Sequence, residues 1–133
     1  GERALFCGLV SWHAHAEKYV LVLAQCEGGD LQALLQKRPT EAKLPTATVL
    51  RWAEGLARAL DVMHRKLGRL HLDLKPANLL LTHADVASAE VKVADFGISQ
   101  VCPVGPEGHW EGTVGHVEYP LLDHPHCAPE QAK

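Results

Sequence analysis

Residues 46 to 67 carry an apolar stripe, Val49, Trp52, Ala53, Leu56, Leu60 and Met63, that repeats at helical period and makes this the longest regular element of the chain. Thr46 or Thr48 is placed to cap its start, and Gly68, just after Leu67, is the expected left-handed residue at its end. Gly55 inside the stripe costs about 1 kcal/mol relative to alanine. No second long helix follows. Leu70 to Leu72, Leu79 to Leu81 and Val91 to Val93 are short apolar runs separated by polar segments, the pattern of strand fragments.

Upstream, Gly8 to His13 and Tyr19 to Ala24 read as two strands connected through Ala16, Glu17 and Lys18. The second, YVLVLA, is apolar at every position, which suits a strand covered on both faces. Glu27, Gly28, Gly29 and Asp30 break it, and Leu31, Leu34 and Leu35 open a short helix that Asp30 can cap. Residues 36 to 45, with Pro39 and Pro45, read as a loop, as does the stretch from Pro103 onward.

Composition removes several classes of function. With 47% apolar and 22% charged residues in 133, the chain is neither disordered nor fibrous, and its length suits one domain. Thirteen basic against sixteen acidic residues leave a net charge of -3, so no overall positive field draws it to nucleic acid or an anionic membrane. Arg65, Lys66 and Arg69 form only the solvated end of a helix. Apolar runs fall far short of the ~20 residues that span a bilayer, so no membrane segment is expected. Cys7, Cys26, Cys102 and Cys127 are scattered without a C-x-x-C pair or signal peptide, which points to reduced thiols in a cytoplasmic or nuclear protein. His13 and His15, and the group His124, His126 and Cys127, lack the matching second pair of a structural zinc site.

Chemistry concentrates in His71-Leu-Asp-Leu-Lys-Pro-Ala-Asn78 and in Asp95-Phe96-Gly97. Phosphoryl transfer from a nucleotide needs such a set, because a hydroxyl must be oriented, a divalent cation held and charge on the moving group offset. Asp73 can orient the attacking hydroxyl and accept its proton, and Lys75 supplies positive charge near the transferred phosphate. Asn78 and Asp95 are oxygen ligands of the kind that suits magnesium.

These segments, with Ala128-Pro129-Glu130, resemble the catalytic loop, the metal-binding loop and the end of the activation segment of eukaryotic protein kinases, in the family's order. Lys75-Pro76 after the candidate catalytic Asp73 is similar to serine/threonine kinases, and Gly112-Thr113 resembles their substrate-binding threonine. The resemblance implies a partial α+β protein-kinase-like fold: residues 1–24 as the last strands of the small lobe, 25–29 as the hinge, and 30–133 as the large lobe through the activation segment. It further implies ATP and Mg2+ as cofactors and a protein substrate bearing serine or threonine. Leu23 would be the gatekeeper behind the adenine, Ala24 and Cys26 would offer backbone groups to its edge, Asp30 would reach the ribose and Leu80 would floor the pocket.

The chain departs from the family in three places. Leu72 stands where the family usually has an arginine that pairs with a phosphorylated activation loop, and Ser99 is the only hydroxyl between Phe96 and Gly112, so activity is not expected to be switched there by phosphorylation. HLDLKPAN and His126 resemble the Mos group, which implies a kinase feeding a MAP kinase cascade in meiosis, whereas GGDL resembles NIMA-related kinases. Residues 116–125 read either as a substrate-specificity insert in the loop that receives the peptide or as a gene-model error. The Gly-rich loop and the strand lysine with its glutamate partner do not occur in the chain, so the isolated polypeptide is expected to be inactive while the full-length product transfers phosphate. A pseudokinase or scaffold is the alternative, and a small-molecule phosphotransferase a third class that Lys75-Pro76 and Ala128-Pro129-Glu130 disfavour.

Overall fold

A hairpin starts the chain. In the computed structural model, which describes residues 1–39 and 42–101, a 3-10 turn at Glu2–Leu5 leads into β1 (Leu9–His15). β1 pairs antiparallel with β2 (Lys18–Leu23), from Leu9 opposite Leu23 to His15 opposite Lys18, with an irregularity between Leu9 and Ser11. The expectation that YVLVLA is covered on both faces does not hold. All of β2 is exposed, Leu21 to 60%, because β1 is its only strand neighbour among the described residues and a two-stranded ribbon shields neither face.

The short helix forms as its leucine spacing requires: α1 spans Leu31–Lys37, and Asp30 Oδ1 accepts from the Ala33 N–H at 2.7 Å. α2 spans Thr46–Asp61 and runs into a π-helical turn at Val62–Lys66, closed by the Leu67 N–H donating to the Val62 carbonyl at 3.1 Å. Neither threonine caps it. Pro45 holds that position, its carbonyl accepting from the Thr48 and Val49 N–H groups at 3.0 and 3.1 Å, while Thr48 is buried as part of the packing face. Gly68 takes the expected left-handed conformation at φ 56°.

The buried face of α2 is also rotated from the expected stripe. Thr48, Trp52, Ala59, Val62 and Met63 are buried, whereas Val49 is 45% exposed and Ala53 faces solvent. Two neighbouring side chains set the rotation. Trp52 Nε1 donates to the Ala89 carbonyl at 2.7 Å, and Arg51 Nη2 donates to the carbonyls of Val86, Ala87 and Ala89 at 3.3, 2.8 and 3.0 Å. Together they fasten the helix to the loop between β4 (Leu79–Leu81) and β5 (Val91–Val93), and Glu90 pairs with Arg51 Nε at 3.2 Å.

β4 and β5 are antiparallel, Leu79 opposite Val93 and Leu81 opposite Val91. Trp52, Leu81, Ala89 and Val91 form the main core, closed by Leu31, Leu34, Leu44, Leu79 and Val86. The strand expected over residues 70–72 stops early: β3 is Arg69–Leu70, paired with β6 (Gln100–Val101). Leu72 leaves it by adopting φ 66°, and with Leu70 it builds a second small core against Ile98. Lys66 reaches back to pair with Glu2, and Arg65 pairs with Asp61 at 2.8 Å, as fits a solvated helix end. No helix among the described residues is long and apolar enough to cross a membrane.

Candidate active site

The site grows out of the irregular backbone between β3 and β4. His71 is fully buried, its Nε2 bonded to the Ala94 carbonyl at 2.9 Å and its Nδ1 accepting from the Asp73 N–H at 3.2 Å. The tautomer with its proton on Nε2 satisfies both bonds, so one imidazole ties the loop before β4 to the loop after β5. Leu72 pays for a left-handed conformation, about 1–2 kcal/mol for an L-residue, but is only 1% exposed, and burying a leucine is worth about 1.5–3 kcal/mol. Burial therefore holds the strained residue that aims Asp73.

Asp73 Oδ2 accepts from Lys75 Nζ at 2.7 Å and from Asn78 Nδ2 at 2.9 Å, and the same amide donates to the Asp73 carbonyl at 2.8 Å. Both side chains of the ion pair are more than two-thirds shielded, so the Asp73 carboxylate is held in one orientation. A 3-10 turn at Pro76–Asn78 swings Asn78 back over it, with the Asn78 N–H bonded to the Lys75 carbonyl at 2.9 Å.

Pairing of β4 with β5 brings the second loop alongside. The Ala94 N–H donates to the Asn78 carbonyl at 3.0 Å, which sets Asp95 next to this group. Asp95 is exposed at φ 61°, a conformation aspartate tolerates better than most residues, and its Oδ1 accepts from the Gly97 N–H at 3.3 Å. Phe96 packs edge-on to Phe6 at 6.0 Å between ring centroids and lies 5.3 Å from the His71 ring. The donor set suits a hard cation: the amide nitrogen of Asn78 is spent on Asp73, which makes its amide oxygen the candidate ligand atom, and Asp95 enters no ion pair among the described residues.

The segment after β2 is clamped onto β4. The Gly28 N–H donates to the Leu81 carbonyl at 3.0 Å, the Leu81 N–H donates to the Gly29 carbonyl at 2.8 Å, and Asp30 bridges Leu80. The approach is so close that a Cβ on Gly28 would lie 2.6 Å from Leu81 Cβ and collide with the His83 carbonyl. Leu80 is half-buried beside Asp30, whose Oδ1 is committed to capping α1. Leu23 is 48% exposed at the end of β2, the Ala24 carbonyl accepts from Cys7 Sγ at 3.5 Å, and Cys26 is half-buried.

The fold thus gathers Asp73, Lys75 and Asn78 with the Asp95 loop, and separately joins Asp30 to Leu80. Thr113 with Gly112, the segment 116–125, Ala128-Pro129-Glu130, Cys102, His124, His126 and Cys127 lie outside the described residues. Sequence reasoning missed the bridging role of His71, the conformation of Leu72, the clamp at Gly28 and the clasp by Arg51. Of these only Gly28 carried a signal, as half of a glycine pair ending a strand.

Comparison of the sequence with known proteins identifies its family. The family described as "protein kinase domain" matches residues 6–130. The serine/threonine-protein kinase RUNKEL of Arabidopsis thaliana is 38% identical over 90 residues, 68% of this chain and 6% of that protein. The serine/threonine-protein kinase Nek4 of Mus musculus, a NIMA-related kinase, is 36% identical over 91 residues, 68% of this chain and 11% of Nek4. Calcium-dependent protein kinase 12 of Arabidopsis thaliana is 34% identical over 112 residues, 83% of this chain and 21% of that enzyme. The chain therefore spans a small part of the length of these serine/threonine kinases. With the matched span covering nearly all of the sequence and the two loops assembled as described, the chain belongs to the protein kinase domain family.

Proposed function

We propose that this chain supplies the hinge and the active-site half of the large lobe of an ATP-dependent protein serine/threonine kinase. The observation that carries the reading is the Asp73 carboxylate, fixed by Lys75 and Asn78 at 2.7 and 2.9 Å while the Asn78 backbone holds the Asp95 loop. Asp73 orients the acceptor hydroxyl and takes its proton as the oxygen attacks the γ-phosphorus. Lys75 offsets charge on the moving group, so the pair that orders Asp73 before substrate arrives is remade around the phosphoryl oxygens. Asn78 and Asp95 hold magnesium, which when bound neutralises charge on the phosphates. Leu23, the backbone of Ala24 and Cys26, and Leu80 frame the adenine. Asp30 reaches the ribose, and Thr113 positions the acceptor.

Leu72 supports a second feature. Buried in the small core with Leu70 and Ile98, it offers no charge to a phosphorylated activation segment, so activity is set without that switch. This fits a Mos-like kinase. The test is transfer of labelled γ-phosphoryl from ATP by the full-length protein, followed by phosphoamino-acid analysis. Magnesium-dependent label on serine or threonine of a protein acceptor is expected. ATP binding without transfer would make the chain part of a scaffold, and label confined to tyrosine or to a small-molecule hydroxyl would overturn the reading.

A further inference from the structure

Lys37, Arg38 and Lys43 gather positive charge in one short stretch of a chain whose net charge is -3, against a single acidic residue there, Glu41, which lies outside the described residues. None of the three cations enters an ion pair among the described residues. Arg38 instead folds the stretch on itself, its Nε donating to the Ala42 carbonyl at 3.2 Å and its Nη2 to the Lys43 carbonyl at 3.1 Å. The clasp holds the guanidinium, with Lys43, in the lining of a groove of about 490 Å³ between the end of α1 and the start of α2. The same groove carries apolar side chains that the core does not use. Leu35 comes from α1 and Val49 from α2, each 45% exposed, whereas Leu31 and Leu34 of α1 close the main core.

We propose that this groove docks an acidic peptide segment of a partner protein, with an aliphatic side chain seated between Leu35 and Val49 and flanking carboxylates facing Arg38 and Lys43. The chemistry of the occupant follows from that of the groove. An aliphatic anchor leaves water against apolar side chains supplied by both helices, which is where its gain comes from. Carboxylates beside it meet two lining cations, and no carboxylate of a described residue lines the groove to repel them. A basic segment of the same shape would set like charges against Arg38 and Lys43 and is rejected.

Because the cations stand at a solvated rim, they steer the partner and choose it more than they tighten it, and their effect weakens as salt rises. α1 also packs against the 3-10 turn at Pro76–Asn78, so a partner held in the groove sits on the helix that borders the candidate site. Any gain in phosphorylation of such a partner rests on the kinase reading given above, but the docking itself does not.

The test is fluorescence anisotropy of a short labelled peptide, one central leucine flanked by glutamates, titrated with the full-length protein. Saturable binding is expected, weakened about tenfold when the peptide leucine becomes alanine and about threefold or more by Lys43→Glu, the second loss shrinking at high salt. Lys43 is exposed and outside the core, so this variant keeps the fold, which circular dichroism checks. Equal binding of a peptide with lysines in place of the glutamates, or binding indifferent to Lys43→Glu, would overturn the proposal. So would no peptide binding, and if the protein then sediments as a dimer that Leu35→Asp dissociates, the groove is an interface between two copies. The assay reads binding alone, so its failure leaves the kinase reading standing, and failure of phosphoryl transfer leaves the docking standing.

Discussion

Leu72 shows how a single residue can position a site through packing and backbone conformation. Its side chain closes the small core with Leu70 and Ile98, and its φ of 66° delivers Asp73 to Lys75 and Asn78. An arginine placed here by Leu72→Arg would have to bury its charge, at an effective cost of several kcal/mol, or abandon the core. A clear fall in denaturation midpoint is expected, and an unchanged midpoint would show that the pocket already accommodates a guanidinium. Asp85 makes a smaller point at the same scale. The Ser88 hydroxyl, and after it the Ala87 N–H, hold its carboxyl below the usual carboxylate range. Its contribution is present above the unfolded value and is lost as pH falls through the lower folded value. Ser88→Ala is therefore expected to lower stability slightly at neutral pH, with the deficit against wild type shrinking and vanishing as pH falls through the lowered folded value, which urea denaturation across the acid range measures. The candidate residues Asp73, Lys75, Asn78 and Asp95 were legible in the sequence because their chemical types and order carry meaning. His71 was not, since burial gives an imidazole its bridging role and spacing does not reveal burial.

Elements were legible where period and punctuation agreed, and misread where a neighbour decided. Asp30 caps α1 and Gly68 ends the long helix as their types require. The face of α2, in contrast, is set by Trp52 and Arg51 reaching the carbonyls of the β4–β5 loop, a long-range choice that places Val49 in solvent. The apolar run of β2 predicts cover on both faces, yet among the described residues only β1 lies beside it. The clamp between the 24–30 segment and β4 depends on the missing side chain of Gly28. Gly28→Ala would push a methyl into Leu81, which strand pairing fixes, and into the His83 carbonyl, so a loss of about 1–3 kcal/mol is expected from the overpacking. Chemical denaturation measures it, and a change under about 0.5 kcal/mol would show that the clamp gives way freely.

At the scale of the whole molecule, two antiparallel pairs carry the candidate site between them. β3–β6 and β4–β5 hold the ends of both loops, and the His71 bond to Ala94 together with the Ala94 bond to Asn78 keeps one loop in register with the other. The α+β character and the kinase-domain membership were legible from the whole order of motifs. The contacts that assemble the loops were not, because they join residues more than fifteen apart and each ends on a backbone group that every sequence possesses. The central claim is that Asp73 is the group that makes phosphoryl transfer proceed. Single-turnover transfer by the full-length protein, wild type against Asp73→Asn, tests it most directly. The amide keeps the hydrogen bonds' shape but accepts no proton, so the rate is expected to fall by about 10²–10⁴-fold with nucleotide affinity little changed. A variant that transfers phosphate at the wild-type rate would contradict the account.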